Sequence, residues 1–151
     1  MKTATRKAAN SFSTSFVVDQ TPEQVFDAVN NVRGWWTGEI EGRSAKAGDV
    51  FTFRYQDLHR SKQKLVEVVP GRKVVWLVED AHLSFAKDKD EWTGTKVVFD
   101  IAKKGGKTEL RFTHDGLVPK FECFEACSEG WDFYVNTSLK SLITTGKGSA
   151  S

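Results

Sequence analysis

Apolar positions along the chain follow two rhythms, and the change between them comes late. In Ser11–Val18, Phe12, Phe16 and Val18 share a parity with Thr14, the two-residue period of a strand. A helix start follows. Thr21 suits the cap, Pro22 the first helical position, and Gln24 lies three residues beyond the cap. Val25, Phe26, Ala28 and Val29 supply an apolar helical face, and Gly34 keeps this helix short. Val32–Thr37 predicts a second short helical turn that anchors Trp35 or Trp36.

A run of strands comes next. Glu39–Arg43 is short and weakly patterned. Val50–Gln56 places Phe51, Phe53 and Tyr55 on one face and Thr52 and Arg54 on the other, and Asp57–Arg60 reads as a turn. Lys62–Val69 ends at the Pro70-Gly71 turn, and Lys73–Asp80 is apolar enough to be covered on both faces. Lys87–Glu91 is a charged loop tip. Thr95–Ala102 puts Val97, Phe99 and Ile101 on one face, and Gly105-Gly106 turns the chain into Thr108–His114. There Leu110, Phe112 and His114 share a face.

Beyond Pro119 the period becomes helical. Phe121, Phe124, Cys127, Trp131, Tyr134, Val135, Leu139, Leu142 and Ile143 recur mostly at steps of three and four, which predicts one helix over roughly Glu122–Thr145, stopped by Gly146. Gly130 inside it costs about 1 kcal/mol relative to alanine, so a close approach or a local bend is expected there. Consecutive strands on short turns make an antiparallel meander. One face of such a sheet needs cover, and the final helix is the element long enough to supply it. A curved sheet gripping a long helix can leave a cavity between them.

Composition sharpens this picture. The 151 residues predict one domain over 11–146, a basic tail over 1–10 and a frayed end over 147–151. A chain of this size buries about two-thirds of its unfolded surface and needs no disulfide or metal scaffold. Net charge is +2, from 22 Lys+Arg against 20 Asp+Glu, and Lys2, Arg6 and Lys7 sit in the tail. The near-neutral body argues against nucleic acid, which needs a concentrated basic footprint. No apolar run reaches the length of a membrane span and no secretory signal is evident, so a cytoplasmic location is expected. Cys123 and Cys127 are expected to be reduced, buried thiols. The unusual entries are 5 Trp, 2 Tyr and 11 Phe against one Met, a large rigid apolar load for a small core.

The ordered segments FVVDQTPEQVFDAV, the Trp35-Trp36 pair, VVPGRKVVWLV, TELRFTHDGLVP and CSEGWDFYVNTSLKSLITTGKG are spread over Ser11 to Gly148. In that order they resemble the START-like (SRPBCC, helix-grip) superfamily. More narrowly, they resemble the domain of the activator of heat-shock protein 90 ATPase. The resemblance implies an α+β helix-grip fold. It has a curved antiparallel sheet of about seven strands around a long C-terminal helix, two short helices after the first strand, and an internal cavity. Superfamily members include lipid carriers, polyketide cyclases and the co-chaperone that names this branch. That co-chaperone carries a further N-terminal domain, for which 151 residues leave no room. The family name is therefore not expected to state the activity.

The candidate cavity wall comprises Trp35, Phe53, Tyr55, Trp76, Phe99, Phe112, His114, Trp131 and Tyr134. Any of these rings serves equally as ordinary core. Tyr and Trp make the better wall, because their polar atoms need partners when buried. His114 reads as a satisfied core histidine, or as a hydrogen-bonding head or general acid/base. His59 is expected in an exposed turn. His82 with Asp80 lacks a third metal ligand, so no metal, other cofactor or catalytic set is assigned. No Gly-x-Ser-x-Gly is present, and Lys103–Lys107 is a basic hairpin tip rather than a phosphate loop. Arg54 and Arg111 are expected outside, and Arg33 either in a surface ion pair or at the cavity entrance.

The favoured reading is a non-enzymatic module that holds a small apolar or amphipathic molecule between sheet and helix. Two alternatives stand beside it. One is a cyclase/hydratase-type enzyme using a cavity histidine. The other is a co-chaperone-like interaction protein that meets a chaperone through Lys87–Glu91 and Trp92.

Overall fold

The computed structural model describes residues 12–36, 39–55, 59–83, 93–115 and 124–146. Strand β1 (Phe12–Val18) leads to helix α1 (Pro22–Asn30) and a 3-10 turn (Val32–Gly34). Six strands follow: β2 (Glu39–Gly42), β3 (Val50–Tyr55), β4 (His59–Val69), β5 (Lys73–Leu83), β6 (Lys96–Lys104) and β7 (Lys107–Asp115). The C-terminal helix consists of α2 (Phe124–Phe133), a π-helical turn (Tyr134–Leu139) and α3 (Lys140–Thr145). The seven strands form one antiparallel sheet in the order β1-β7-β6-β5-β4-β3-β2, with the C-terminal helix against its inner face, an α+β helix-grip fold.

Local chemistry explains the elements. Thr21 and Gln24 close a capping box: Gln24 N–H donates to Thr21 Oγ1 (3.1 Å), and Thr21 N–H donates to Gln24 Oε1 (2.9 Å). Val25, Ala28 and Val29 then bury one face of α1. The β6–β7 hairpin pairs Lys104 with Lys107 across Gly105-Gly106, and Gly105 takes φ +64°. Gly42 ends β2 at φ +106°, and a Cβ there would collide with the Val50 carbonyl oxygen.

Several boundaries differ from the sequence pattern. His59 and Arg60 belong to β4, paired with Leu83 and His82, so Asp57–Arg60 is not simply a turn. Strand β5 runs on to Leu83. A bulge separates these extensions from the rest of the ladder: Lys62 pairs Asp80 whereas Gln63 pairs Val78, leaving Glu79 as the extra residue. The bulge reverses the parity of β5, so Val74, Trp76, Val78 and Ala81 all face the core. A Cβ on Gly130 would meet nothing within 4 Å among the described residues, so no close approach there explains that glycine.

The irregularity of the C-terminal helix lies just beyond Gly130. Trp131, Val135, Leu139 and Ile143 are all buried. Steps of four overshoot a 3.6-residue turn by about 40° each, so a straight helix would rotate the last of them off the sheet. The wider π turn absorbs that overshoot. Ser138 Oγ–H, within the π turn, donates to the Trp35 carbonyl (2.7 Å), and Asn136 Nδ2–H donates to Thr14 Oγ1 (3.0 Å). These bonds tie the helix to the 3-10 turn and to β1. None of the helices among the described residues is long and apolar enough to cross a membrane.

Candidate functional site

The inner face of the sheet is built by alternation. Phe51 and Phe53 of β3, Trp76 of β5, Phe99 of β6 and Phe112 of β7 point inward and are buried. The 3-10 turn brings both Trp35 and Trp36 into the same layer, because the amides of both donate to the Val32 carbonyl. Trp131 descends from the helix. The rings form one connected set. Centroids of Trp36 and Phe53 lie 3.9 Å apart in a stack, and Trp36 and Trp131 are 5.1 Å apart. Phe51 meets Trp76 edge-on at 4.9 Å, and Trp76, Phe99 and Phe112 follow at 5.0 and 5.3 Å.

Of the residues read as cavity wall, Trp35, Phe53, Trp76, Phe99, Phe112, His114 and Trp131 are thus gathered in one buried layer. Tyr134 is half-buried at its rim, edge-on to Trp36 at 6.5 Å. Tyr55 ends β3, and its side chain lies outside the described residues. Trp36 and Phe51 belong to the layer although the sequence reading left them out of the wall.

Two polar clusters interrupt this apolar layer. The first is at the β7 end. The Trp131 indole N–H donates to His114 Nδ1 (3.0 Å). An indole nitrogen can only donate, so Nδ1 accepts and the neutral ring carries its proton on Nε2. Nε2–H then donates to Thr95 Oγ1 (2.7 Å). His114 is 0% exposed, and both ring nitrogens are engaged. The ring joins β7, the approach to β6 and the C-terminal helix.

The second cluster lies on β4 and β5. Ser61 and Gln63 share the inward parity of Leu65, while Lys62 and Lys64 take the other face. Ser61 stands opposite Phe53 and Ala81, and Gln63 opposite Phe51 and Val78, all of them buried and apolar. Gln63 Nε2–H donates to Ser61 Oγ (2.5 Å). Gln63 Oε1 has no hydrogen-bond partner among the described residues, and neither has Trp76 Nε1. Both residues are 0% exposed. Gln20, Asn30 and Ser128 also carry an unpartnered buried oxygen, but those residues are only partly buried. The sequence reading missed Ser61 and Gln63. Their signal was the alternation of lysine with uncharged residues that places them in register with Leu65.

The remaining candidates are dispersed. Arg33 donates to the carbonyls of Ile40 (3.0 Å) and Gly42 (3.2 Å), so it braces β2. Arg54 and Arg111 are exposed. His59 and His82 lie in strands, and their side chains are outside the described residues, as are Cys123, the Cys127 side chain, Lys87–Glu91 and Trp92. Among the described residues no three His, Cys, Asp or Glu side chains gather as a metal site. The fully buried polar side chains there are Ser61, Gln63, His114 and Ser138, none of them a carboxylate, lysine or arginine. The hydrogen-bonding groups of the layer are therefore neutral.

A model of the family described as "Activator of Hsp90 ATPase homolog 1-like protein" matches residues 19–144. The chain belongs to the AHSA1 family. No curated protein matches this AHSA1 member. Among solved structures, the Aha1 dimer from Colwellia psychrerythraea is similar with a TM-score of 0.72 and 23% identity, covering 91% of this chain and 98% of that one. An HSP90 activator from Plasmodium falciparum gives 0.62 and 18%, covering 91% and 96%. DynU16, from the dynemicin biosynthetic locus, gives 0.68 and 16%, covering 93% of this chain and 49% of that one. At these identities the likeness is one of fold.

Proposed function

We propose that this AHSA1-family domain binds a small apolar or amphipathic molecule between the sheet and the C-terminal helix, without transforming it. The observation that carries the reading is the pair of wholly buried polar atoms, Gln63 Oε1 and Trp76 Nε1, that find no partner among the described residues. Each such atom costs about 1–3 kcal/mol, and buried polar groups in native proteins are nearly always paired. A bound molecule that supplied the partners would recover that cost. The aromatic layer around them supplies the apolar contact, worth about 25 cal/mol per Å² removed from water. Trp35, Phe53, Trp76, Phe99, Phe112 and Trp131 form its wall, with Tyr134 at the rim.

The geometry gives the hydratase-type alternative less support. A general acid/base needs a nitrogen within reach of substrate, and both nitrogens of His114 are held by Thr95 and Trp131. The chaperone alternative draws on the family description and on the P. falciparum relative, and the loop it would use lies outside the described residues.

The test is ligand-dependent melting across a panel of lipids and polyphenols. A binding module shows a melting shift that grows with ligand concentration, equivalent to about 2.7 kcal/mol at a hundredfold excess over Kd. No shift with any member of the panel refutes the reading.

A further inference from the structure

The geometry points to an uncharged, hydroxyl-bearing aromatic as the ligand class, with its hydroxyl held between Gln63 and Trp76. This inference rests on the binding function proposed above and specifies its chemistry. Three observations carry it. First, the two unpartnered atoms are complementary: Gln63 Oε1 accepts and Trp76 Nε1–H donates. A ligand hydroxyl can serve both, donating to the amide oxygen while its lone pair receives the indole proton. Second, the two residues are close. Gln63 pairs with Val78, Leu65 pairs with Trp76, and no register shift intervenes. Gln63 and Trp76 are therefore diagonal neighbours on one face of the sheet, a spacing of roughly 7–8 Å between Cα atoms. Neighbours at that spacing on one face can turn their side chains toward a shared group.

Third, the surroundings select against charge. The wholly buried polar side chains among the described residues are neutral, and the facing residues Phe51, Phe53, Val78 and Ala81 are apolar. A carboxylate there would lose its hydration with no cation in return. The ligand body meets rings: Phe51 lies edge-on to Trp76 at 4.9 Å, and the Trp76 and Trp36 planes are within 16° of parallel. Aromatic groups pack well in such a setting. The bulge at Glu79 lies immediately beside the Gln63–Val78 pair, at the kind of position where strands re-aim side chains near functional sites.

Equilibrium dialysis of the full chain against naphthalene, 2-naphthol and 2-naphthoate separates the possibilities. We expect 2-naphthol to bind about tenfold more tightly than naphthalene, and 2-naphthoate to bind more weakly than either. In Gln63→Met the advantage of 2-naphthol over naphthalene falls to about twofold or less while naphthalene affinity is kept. Trp76→Phe removes the donor together with part of the indole ring, so its readout is the ratio of the two affinities, and the advantage of 2-naphthol falls in the same way. If naphthalene and 2-naphthol bind wild-type protein equally, or 2-naphthoate binds best, the hydroxyl inference is overturned while the binding function stands. If none of the three is retained but other members of the melting panel shift the protein, the inference again fails alone. If neither assay finds a ligand, both fail.

Discussion

The two polar clusters of the inner face are made of similar parts and differ in closure. At the β7 end, an imidazole, an indole and a hydroxyl satisfy one another, and the result pins the C-terminal helix to the sheet. On β4 and β5, an amide, an indole and a hydroxyl leave one acceptor and one donor over. The first arrangement contributes to stability. The second costs stability as it stands, and under the proposed function a bound molecule offsets that cost. Burial and ring contacts are alike in both places, and what sets the proposed binding residues apart is the hydrogen-bond partners they lack among the described residues.

Substitutions should separate the clusters in sign as well as size. Trp131→Ala removes the ring that joins Trp36, Phe112 and His114, and is expected to destabilise by about 3–5 kcal/mol in urea unfolding. His114→Leu keeps the volume but deprives Trp131 and Thr95 of a buried partner. A loss of about 2–3 kcal/mol is expected, and a loss under about 0.5 kcal/mol would break the claim that this cluster is structural. Gln63→Met should do the reverse. It removes a buried amide whose oxygen is unpartnered among the described residues, so the midpoint should hold or rise, by up to about 1 kcal/mol. A large loss would mean that Gln63 is satisfied in solution by the protein itself.

The smallest effect is a control remote from both clusters. Asp49, between β2 and β3, accepts the amides of Lys46 (3.0 Å) and Ala45 (3.1 Å), which hold its carboxyl below the usual carboxylate range. A lowered folded-state value means a contribution that is complete above the ordinary carboxylate value and fades as pH falls through the folded one. Asp49→Asn should therefore flatten the acid limb of the stability profile slightly and leave ligand binding unchanged.

Much of the architecture was legible because alternation is a strong signal where one face is buried. The hairpin at Gly105-Gly106, the capping box at Thr21 and the inward parity of Phe99 and Phe112 could be read directly. The bulge at Glu79 could not, since a local residue surplus is set by pairing across strands. It hid the inward placement of Ala81 in β5, whose parity changes at the bulge. The π turn left a fainter mark, the strict four-residue step from Trp131 to Ile143. In the candidate site, sequence favoured large rings and passed over Gln63, because a glutamine between two lysines looks solvent-facing until its register with Leu65 is counted. Whether Trp76 would have an indole partner depends on tertiary placement, and no local pattern encodes it.

The most direct test of the account is the indole region of a proton–nitrogen correlation spectrum during titration with 2-naphthol. Trp76→Phe and Trp131→Phe would assign the two signals. The account predicts that the Trp76 indole proton moves downfield and saturates as the hydroxyl becomes its acceptor, while the Trp131 indole proton, already bonded to His114, stays in place. A saturating titration that moves Trp131 and leaves Trp76 unchanged would contradict it.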